Sequence, residues 1–272
     1  MLKNTITRAG LLSPHLLLIA MPYGKFDTKP VRNFQNFATK TETAYVADAS
    51  TNSGANTVAY TKTKAAPVIQ LNKKILSFVN DFIKRENEAL ADVQGRSSGY
   101  FKIAEAIFRK YGLPIELKYL AIVESDLKTH ATSGAGAVGP WQLMPGTAHD
   151  YGLKITKNGD ERKHLYKSTI AAAKYIKGLY ATYGDWLLTI AAYNCGTGTI
   201  AKAIKKAGSK NFWSMQSYLP AETRGHVKRY IATQYYFEGC ASITCLTKAE
   251  MAAYQKSLEG FSGIYDSVAL VK

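Results

Sequence analysis

The chain has 272 residues, of which 46% are hydrophobic, so it can bury the core of one sizeable domain with additional segments. Lysine and arginine number 35 against 20 aspartates and glutamates, and the resulting net charge of +15 favours polyanionic surroundings. The sequence contains no RRM signature, zinc-finger spacing or basic heptad region, which argues against nucleic acid and leaves acidic polymers or anionic lipid headgroups as partners.

The first 66 residues divide into two segments. Residues 1–21 place Lys3 and Arg8 ahead of a short apolar stretch, which resembles a secretory signal peptide even though Pro14 interrupts the stretch. Residues 22–66 are rich in Thr, Asn, Ala, Ser and Lys without an apolar period, which predicts a flexible linker. We therefore expect an exported protein whose folded part begins near Pro67.

From Pro67 onwards, apolar residues recur at spacings of three and four and predict a series of helices. The first forms an N-terminal helical extension (67–96) and runs to about Ala91; the second begins after Ser97 and ends at Gly112. Pro114 opens a third helix. Further helices are predicted over 145–152, 169–183 with Ser168 as the cap, 185–193 as the buried central helix, from about 199, over 221–238, and over 247–258 within a C-terminal tail (241–272). Because no strand alternation occurs, the predicted fold class is all-α.

The segment from Pro114 to Pro145 places one acidic residue, Glu124, at the end of an apolar run and before a glycine-rich, polar stretch. Partial burial disfavours the charged form of a carboxylate, so we expect a raised pKa for Glu124, as a general acid near neutral pH requires. Glycines in the stretch allow close approach of backbone to a ligand, and Ser133 and Gln142 add hydrogen-bonding side chains. These residues predict an acid catalyst facing a polar, backbone-lined groove and leave its substrate open.

The three cysteines lack the spacing of metal ligands, so we predict no metal site. Cys240 and Cys245 are close enough in sequence to close a small disulfide loop in an oxidising compartment, which would leave Cys195 free. The alternative to this disulfide is that all three cysteines are reduced and mostly buried. The sequence leaves both open.

Four ordered elements of the sequence carry a resemblance to a known family. They are the pair Glu124-Ser125, the segment from Ala131 to Pro145, the triplet 192–194 (Ala-Tyr-Asn), and LPAET at 219–223. In this order and spacing they resemble the lytic murein transglycosylases, whose SLT-type domain is related in fold to goose-type lysozyme, and especially the membrane-bound D-type branch. The resemblance covers roughly residues 97–240 and implies a lysozyme-like helical catalytic domain with a cleft.

The resemblance implies cleavage of the β-1,4 bond between N-acetylmuramic acid and N-acetylglucosamine in peptidoglycan. Glu124 would act first as acid and then as base, and the product would carry a 1,6-anhydro ring, with no cofactor or metal required. It also implies peptidoglycan strands as the partner, with possible attraction to anionic wall or membrane, and a periplasmic or envelope location in a bacterium.

By the same resemblance, six further residues contact the substrate or order the site. They are Ser133 and Gln142 as hydrogen-bonding groups, Met144 as an apolar wall, Tyr193 close to Glu124, Asn194 bonding backbone or sugar, and Glu222 on the far side of the cleft. The sequence departs from the family at His226, where such enzymes commonly place a tyrosine; an imidazole could still donate a hydrogen bond there.

Other polar residues of the region have structural interpretations. We expect Ser125 to tie down the end of its helix, and Asp160 and Glu161 to form a local ion pair with Arg162. Two alternative functions stay open. One is a goose-type hydrolase that uses water, for which Asp126 is the nearest second acid in sequence; the other is a non-catalytic peptidoglycan-binding module.

Overall fold

The computed structural model describes residues 67–269, with side chains up to residue 259. The signal peptide predicted at 1–21 and the linker predicted at 22–66 lie outside the described residues. Ten α-helices occur in the described part: α1 (Lys73–Arg96), α2 (Ser98–Tyr111), α3 (Leu120–Ser125), α4 (Pro145–Asp150), α5 (Leu165–Tyr183), α6 (Trp186–Cys195), α7 (Thr197–Ala207), α8 (Phe212–Met215), α9 (Ala221–Glu238) and α10 (Lys248–Ala269). The all-α prediction is confirmed.

Several predicted helix boundaries coincide with the observed ones. Helix α9 spans the predicted residues, and α2 ends before Gly112, whose φ of +68° is the left-handed conformation expected of a helix-ending glycine. Helix α1 begins later than predicted, at Lys73, because the side chain of Asn72 accepts a hydrogen bond from the backbone N–H of Ile75. It also continues beyond Ala91 to Arg96.

Two local predictions are wrong. Ser168 does not cap α5: the helix begins at Leu165, and the Ser168 hydroxyl lies inside it and donates to the Leu165 carbonyl oxygen at 3.2 Å. The predicted loop before α5 also contains a small antiparallel hairpin of β1 (Ile155–Thr156) and β2 (Gly159–Asp160). Strands of two residues are too short to show the alternation by which a sequence reveals a strand.

Helix α6 is the buried central helix, as predicted. Nine of its ten residues are buried, and it packs against α5, α7 and α9. The buried Asp185 carboxylate accepts from the backbone N–H of Leu188 at 3.0 Å and from that of Lys248 at 2.6 Å. It therefore caps α6 and also fastens the start of α10 to the core.

Helix α1 packs lengthwise against α9 and shares one hydrophobic core with the rest of the fold. Its buried face includes Val79, Phe82, Leu90 and Val93. The predicted N-terminal extension is thus part of the packed structure. Among the described residues, no helix combines the length and the apolar character needed to cross a membrane.

The cysteines are free thiols in the structure. Cys245 is buried and its thiol donates to the Gln234 side-chain oxygen at 3.1 Å, while Cys240 is exposed. Burial raises the pKa of Cys245 to about 12 and that of the buried Cys195 to about 11. The structure therefore corresponds to the reduced alternative.

Candidate active site

Glu124 lies at the end of α3, where the chain turns sharply into the glycine-rich segment. The helix ends at Ser125, and the two residues that follow it, Asp126 and Leu127, have φ values of +52° and +62°, which are incompatible with a right-handed helix. The Ser125 hydroxyl lies 3.2 Å from the Ala121 carbonyl oxygen and 2.9 Å from that of Pro140. Ser125 thus fastens the helix end to the loop, as predicted.

Glu124 opens onto a cleft of about 560 Å³, and its side chain is 13% exposed. All six further residues predicted for the site line the same cleft: Ser133, Gln142, Met144, Tyr193, Asn194 and Glu222. They come from the glycine-rich loop, the end of α6 and the start of α9, which the fold brings to one place.

The glycine-rich loop, residues 131–145, forms one wall of this cleft. Two backbone bridges, between Thr132 and Val138 and between Val138 and Leu143, fold the loop back on itself. Ser133 accepts a hydrogen bond from the Ala137 backbone N–H at 3.0 Å, so its hydroxyl proton stays available to a ligand.

Gln142 holds the loop with one end of its amide. Its Nε2 donates to the Gly139 carbonyl oxygen at 2.8 Å and lies 3.3 Å from that of Ala131. Its φ is +45°, a backbone conformation uncommon for residues other than glycine. The Oε1 end accepts no hydrogen bond within residues 67–259 and is the end able to accept one from a sugar hydroxyl or acetamido N–H.

Arg162 fastens the outer side of the same loop. Its buried guanidinium donates from Nη1 to the carbonyl oxygens of Gly136 at 2.7 Å and Leu143 at 3.0 Å, while Nη2 pairs with Asp160 at 2.7 Å. The hydrogen bonds from Arg162 hold the pKa of Asp160 below its ordinary value. The predicted ion pair of Asp160 with Arg162 is confirmed, whereas Glu161 pairs with Lys167 instead.

Tyr193 lies at the cleft with its hydroxyl turned toward the loop. The hydroxyl donates to the Trp141 carbonyl oxygen at 2.6 Å, and burial raises the pKa of the phenol well above its ordinary value, with the nearby charge of Glu124 acting in the same direction. The contact joins α6 to the loop. Tyr193 thus orders the wall that faces Glu124, while the side chain that bonds Glu124 comes from elsewhere.

Asn194 and Glu222 lie where α6 meets α9. The Thr223 hydroxyl donates to the Asn194 side-chain oxygen at 2.8 Å, which joins the two helices beside the cleft. Asn194 and Glu222 line the cleft on this side.

The side chain that bonds Glu124 is His226 of α9. Its Nε2 lies 2.9 Å from Glu124 Oε1, and its side chain is only 2% exposed. Its place after LPAET, where the family commonly has a tyrosine, was the available signal for this contact.

The central segment of the fold matches a known protein family. The family model described as Transglycosylase SLT domain matches residues 101–216. This segment is therefore similar to the transglycosylase SLT domain. Glu124, the glycine-rich loop and Tyr193, which form three sides of the described cleft, lie within the matched residues.

Two curated proteins are similar to the chain over this region. Membrane-bound lytic murein transglycosylase D of Escherichia coli (strain K12) is 43% identical over 153 residues, which cover 54% of this chain and 33% of that protein. A protein of Alteromonas sp. (strain M-1), named for tributyltin chloride resistance, is 36% identical over 112 residues, or 41% of this chain and 53% of that protein. The chain therefore spans about a third of one relative and about half of the other.

Among solved structures, the 70 kDa soluble lytic transglycosylase of Escherichia coli is 21% identical to the chain. The match covers 64% of this chain and 32% of that one, with a TM-score of 0.47. A lytic transglycosylase of Pseudomonas aeruginosa is 22% identical, with 51% and 24% covered and a TM-score of 0.45.

The SLT domain match ends before α9 and begins after α1, yet both helices line the cleft. Helix α9 contributes Glu222 and His226, and α1 contributes Phe82 and Glu86. Within the described residues, no group of three or more His, Cys, Asp or Glu side chains is arranged to hold a metal ion.

Proposed function

We propose that the chain is a lytic murein transglycosylase that cleaves the β-1,4 bond between N-acetylmuramic acid and N-acetylglucosamine. The supporting observation is the position of Glu124, a mostly buried carboxylate that faces the hydrogen-bonding wall of a cleft in an SLT domain. The catalytic domain would then span about 97–240, since the cleft needs residues of α9.

In the proposed reaction, protonated Glu124 donates its proton to the bridging glycosidic oxygen while the bond from that oxygen to the anomeric carbon breaks. The substrate's own N-acetyl group stabilises the positive charge that develops at the anomeric carbon. The Glu124 carboxylate then takes the proton of the C6 hydroxyl, whose oxygen attacks the anomeric carbon and closes a 1,6-anhydro ring. Glu124 ends protonated as it began, and no water is consumed.

A single carboxylate suffices in this scheme because the attacking hydroxyl belongs to the same sugar. Most glycosidases need a second carboxylate as nucleophile or base, whereas an intramolecular attack has a high effective concentration. Asp126, the nearest second acid in sequence, pairs with Lys128 at 3.0 Å, and its side chain is 50% exposed. This pairing favours Glu124 acting alone.

The cleft walls would bind the sugars around the broken bond. Gln142 Oε1 and the Ser133 hydroxyl supply an acceptor and a donor for hydroxyl or acetamido groups, and Met144 supplies an apolar surface. Asn194 and Glu222 would bind on the opposite side. Peptidoglycan is thus the proposed partner in the bacterial envelope, where the +15 charge would favour anionic wall or membrane.

Turbidity clearing of purified peptidoglycan sacculi tests the acid assignment. Glu124→Gln keeps the shape and the hydrogen-bonding capacity of the side chain but has no acidic proton, so we expect almost no clearing with sugar binding retained. Asp126→Asn is the matched control and should clear at nearly the native rate. Clearing by the Glu124 variant at the native rate would refute the assignment; loss of clearing in the Asp126 variant would instead indicate a second carboxylate, as in a hydrolase.

A further inference from the structure

We propose that His226 is a positioning residue for Glu124: its Nε2–H holds Oε1 of the carboxyl group, so that Oε2 faces the glycosidic oxygen. The inference rests on the proposed function, because it assigns the orientation of the acid in that reaction.

The contact between the two side chains has the geometry of a direct hydrogen bond. The 2.9 Å between His226 Nε2 and Glu124 Oε1 lies within the usual range for N–H donors to oxygen. The two residues are 102 positions apart in sequence and meet where α3 packs against α9. With side-chain exposures of 2% and 13%, the contact is largely shielded from bulk water.

The second ring nitrogen indicates which tautomer makes the contact. His226 Nδ1 is buried and has no hydrogen-bond partner within the described residues. A proton on Nδ1 would leave a buried donor unpaired, and Nε2 would then have no proton to donate to Glu124 Oε1. A proton on Nε2 avoids both costs, so we assign the Nε2–H tautomer on this ground.

The helix that carries His226 is firmly held. Tyr230, one turn further along α9, is fully buried, and its hydroxyl lies 3.2 Å from the Glu116 carbonyl oxygen and 2.8 Å from the Thr244 hydroxyl. On the preceding turn, Thr223 bonds Asn194. A donor fixed on such a helix restricts the rotation of the Glu124 carboxyl group, which is what general acid catalysis requires of its proton donor.

Three substitutions separate the hydrogen bond from the space that the ring fills. Gln places an amide N–H close to the position of Nε2, whereas Asn places its amide close to Nδ1 and does not reach Glu124. Phe fills the space of the ring and has no donor. His226→Gln therefore keeps the hydrogen bond to Glu124. His226→Asn removes it because its amide is too far away, and His226→Phe removes it because its ring has no donor.

The test is steady-state cleavage of purified peptidoglycan by the full chain and these variants, with thermal unfolding to establish that each is folded. We expect His226→Phe and His226→Asn to lower kcat about 10- to 100-fold. KM should stay within about twofold, and His226→Gln should restore most of kcat. Native kcat in His226→Phe, or a loss in His226→Gln as large as in His226→Phe, would overturn the proposal.

A second measurement does not depend on activity. Nitrogen-15 NMR of the histidine side chains distinguishes the two tautomers, and we expect the Nε2–H form for His226, with its signal shifted in Glu124→Gln. An Nδ1–H form would overturn the positioning role whatever the kinetics show. If Glu124→Gln keeps the native cleavage rate while the Nε2–H form is observed, the proposed function fails and the contact stands.

Discussion

Arg162 donates a hydrogen bond to the backbone carbonyl oxygen of Gly136, 26 residues earlier in the chain, at 2.7 Å. Together with its bond to the Leu143 carbonyl oxygen, this contact fastens the loop that carries Ser133 and Gln142. The shape of the cleft wall therefore depends on a side chain outside the cleft.

Replacing Arg162 tests this dependence. Arg162→Met fills a similar length but removes the guanidinium donors from the Gly136 and Leu143 carbonyl oxygens, and Asp160 keeps only the backbone N–H of residue 162, so we expect a loss of about 2 kcal/mol in the free energy of unfolding. Cleavage of peptidoglycan should fall as the loop loses its shape. Urea unfolding measures the loss of stability, and clearing of sacculi measures the loss of cleavage. Lys163→Met, at the neighbouring position, is the control and should leave both quantities nearly unchanged; an unfolding free energy equal to that of the wild type in Arg162→Met would contradict the assigned role.

Gly139 and Gly136 provide a matched pair in the same loop. Their φ values are +84° and +88°, so an alanine costs similar backbone strain at each, of about 1–2 kcal/mol. A Cβ on Gly139 would lie 2.0 Å from the Arg162 carbonyl oxygen, whereas one on Gly136 would have nothing within 4 Å. Gly139→Ala should therefore destabilise the protein and reduce cleavage more than Gly136→Ala, as measured by urea unfolding and sacculus clearing. Equal losses of stability and cleavage in the two variants would show that the close approach of Gly139 to the Arg162 carbonyl oxygen is unimportant.

The pairing of Asp160 predicts a pH dependence of stability. Hydrogen bonds from Arg162 lower the pKa of Asp160 in the folded protein from its ordinary value of 3.8. The unfolded chain consequently takes up this proton first, so the contribution of the pair is present above about pH 4 and is lost as the pH falls through the lowered folded value. Asp160→Asn should be less stable than the wild type at pH 7, and unfolding in urea at decreasing pH should show the difference shrinking below about pH 4. A stability difference between the wild type and Asp160→Asn that grows as the pH falls would contradict a lowered pKa of Asp160 in the folded protein.

Thiol labelling distinguishes the two cysteine arrangements that the sequence leaves open. Burial shields Cys195 and Cys245 and raises their pKa values to about 11 and about 12, whereas Cys240 is exposed. We expect iodoacetamide at pH 8 to modify one thiol of the native protein and all three after unfolding without reductant. If the native protein has no reactive thiol and the unfolded protein has one, Cys240 and Cys245 form a disulfide.

The sequence pattern predicted much of the fold because the apolar spacing of a helix can be recognised within a short stretch of sequence. The buried α6 and the bounds of α9 follow from apolar spacing and from capping residues, which neighbouring positions determine. The cleft residues could be assembled because the motifs that contain them occur in an order and spacing that resemble a family. Their roles in the reaction stay predictions.

The contacts that the sequence did not reveal are made to groups that no sequence pattern marks. Arg162 binds backbone carbonyl oxygens, which every residue possesses, so its pattern looked like that of a local ion pair. The contact of His226 with Glu124 requires α3 and α9 to be packed, and Gln142 directs its amide nitrogen to the Gly139 carbonyl oxygen from a backbone with a positive φ. These are tertiary effects, and local propensity does not encode them.

The mass of the products released from purified peptidoglycan tests the central claim most directly. If Glu124 takes the proton of the C6 hydroxyl while the C6 oxygen attacks the anomeric carbon, the disaccharide-peptide products end in 1,6-anhydro rings and each is one water lighter than the hydrolytic product. We predict the lighter mass from the wild-type chain and no release from Glu124→Gln. Release of products at the full hydrolytic mass would contradict the account and identify the enzyme as a hydrolase.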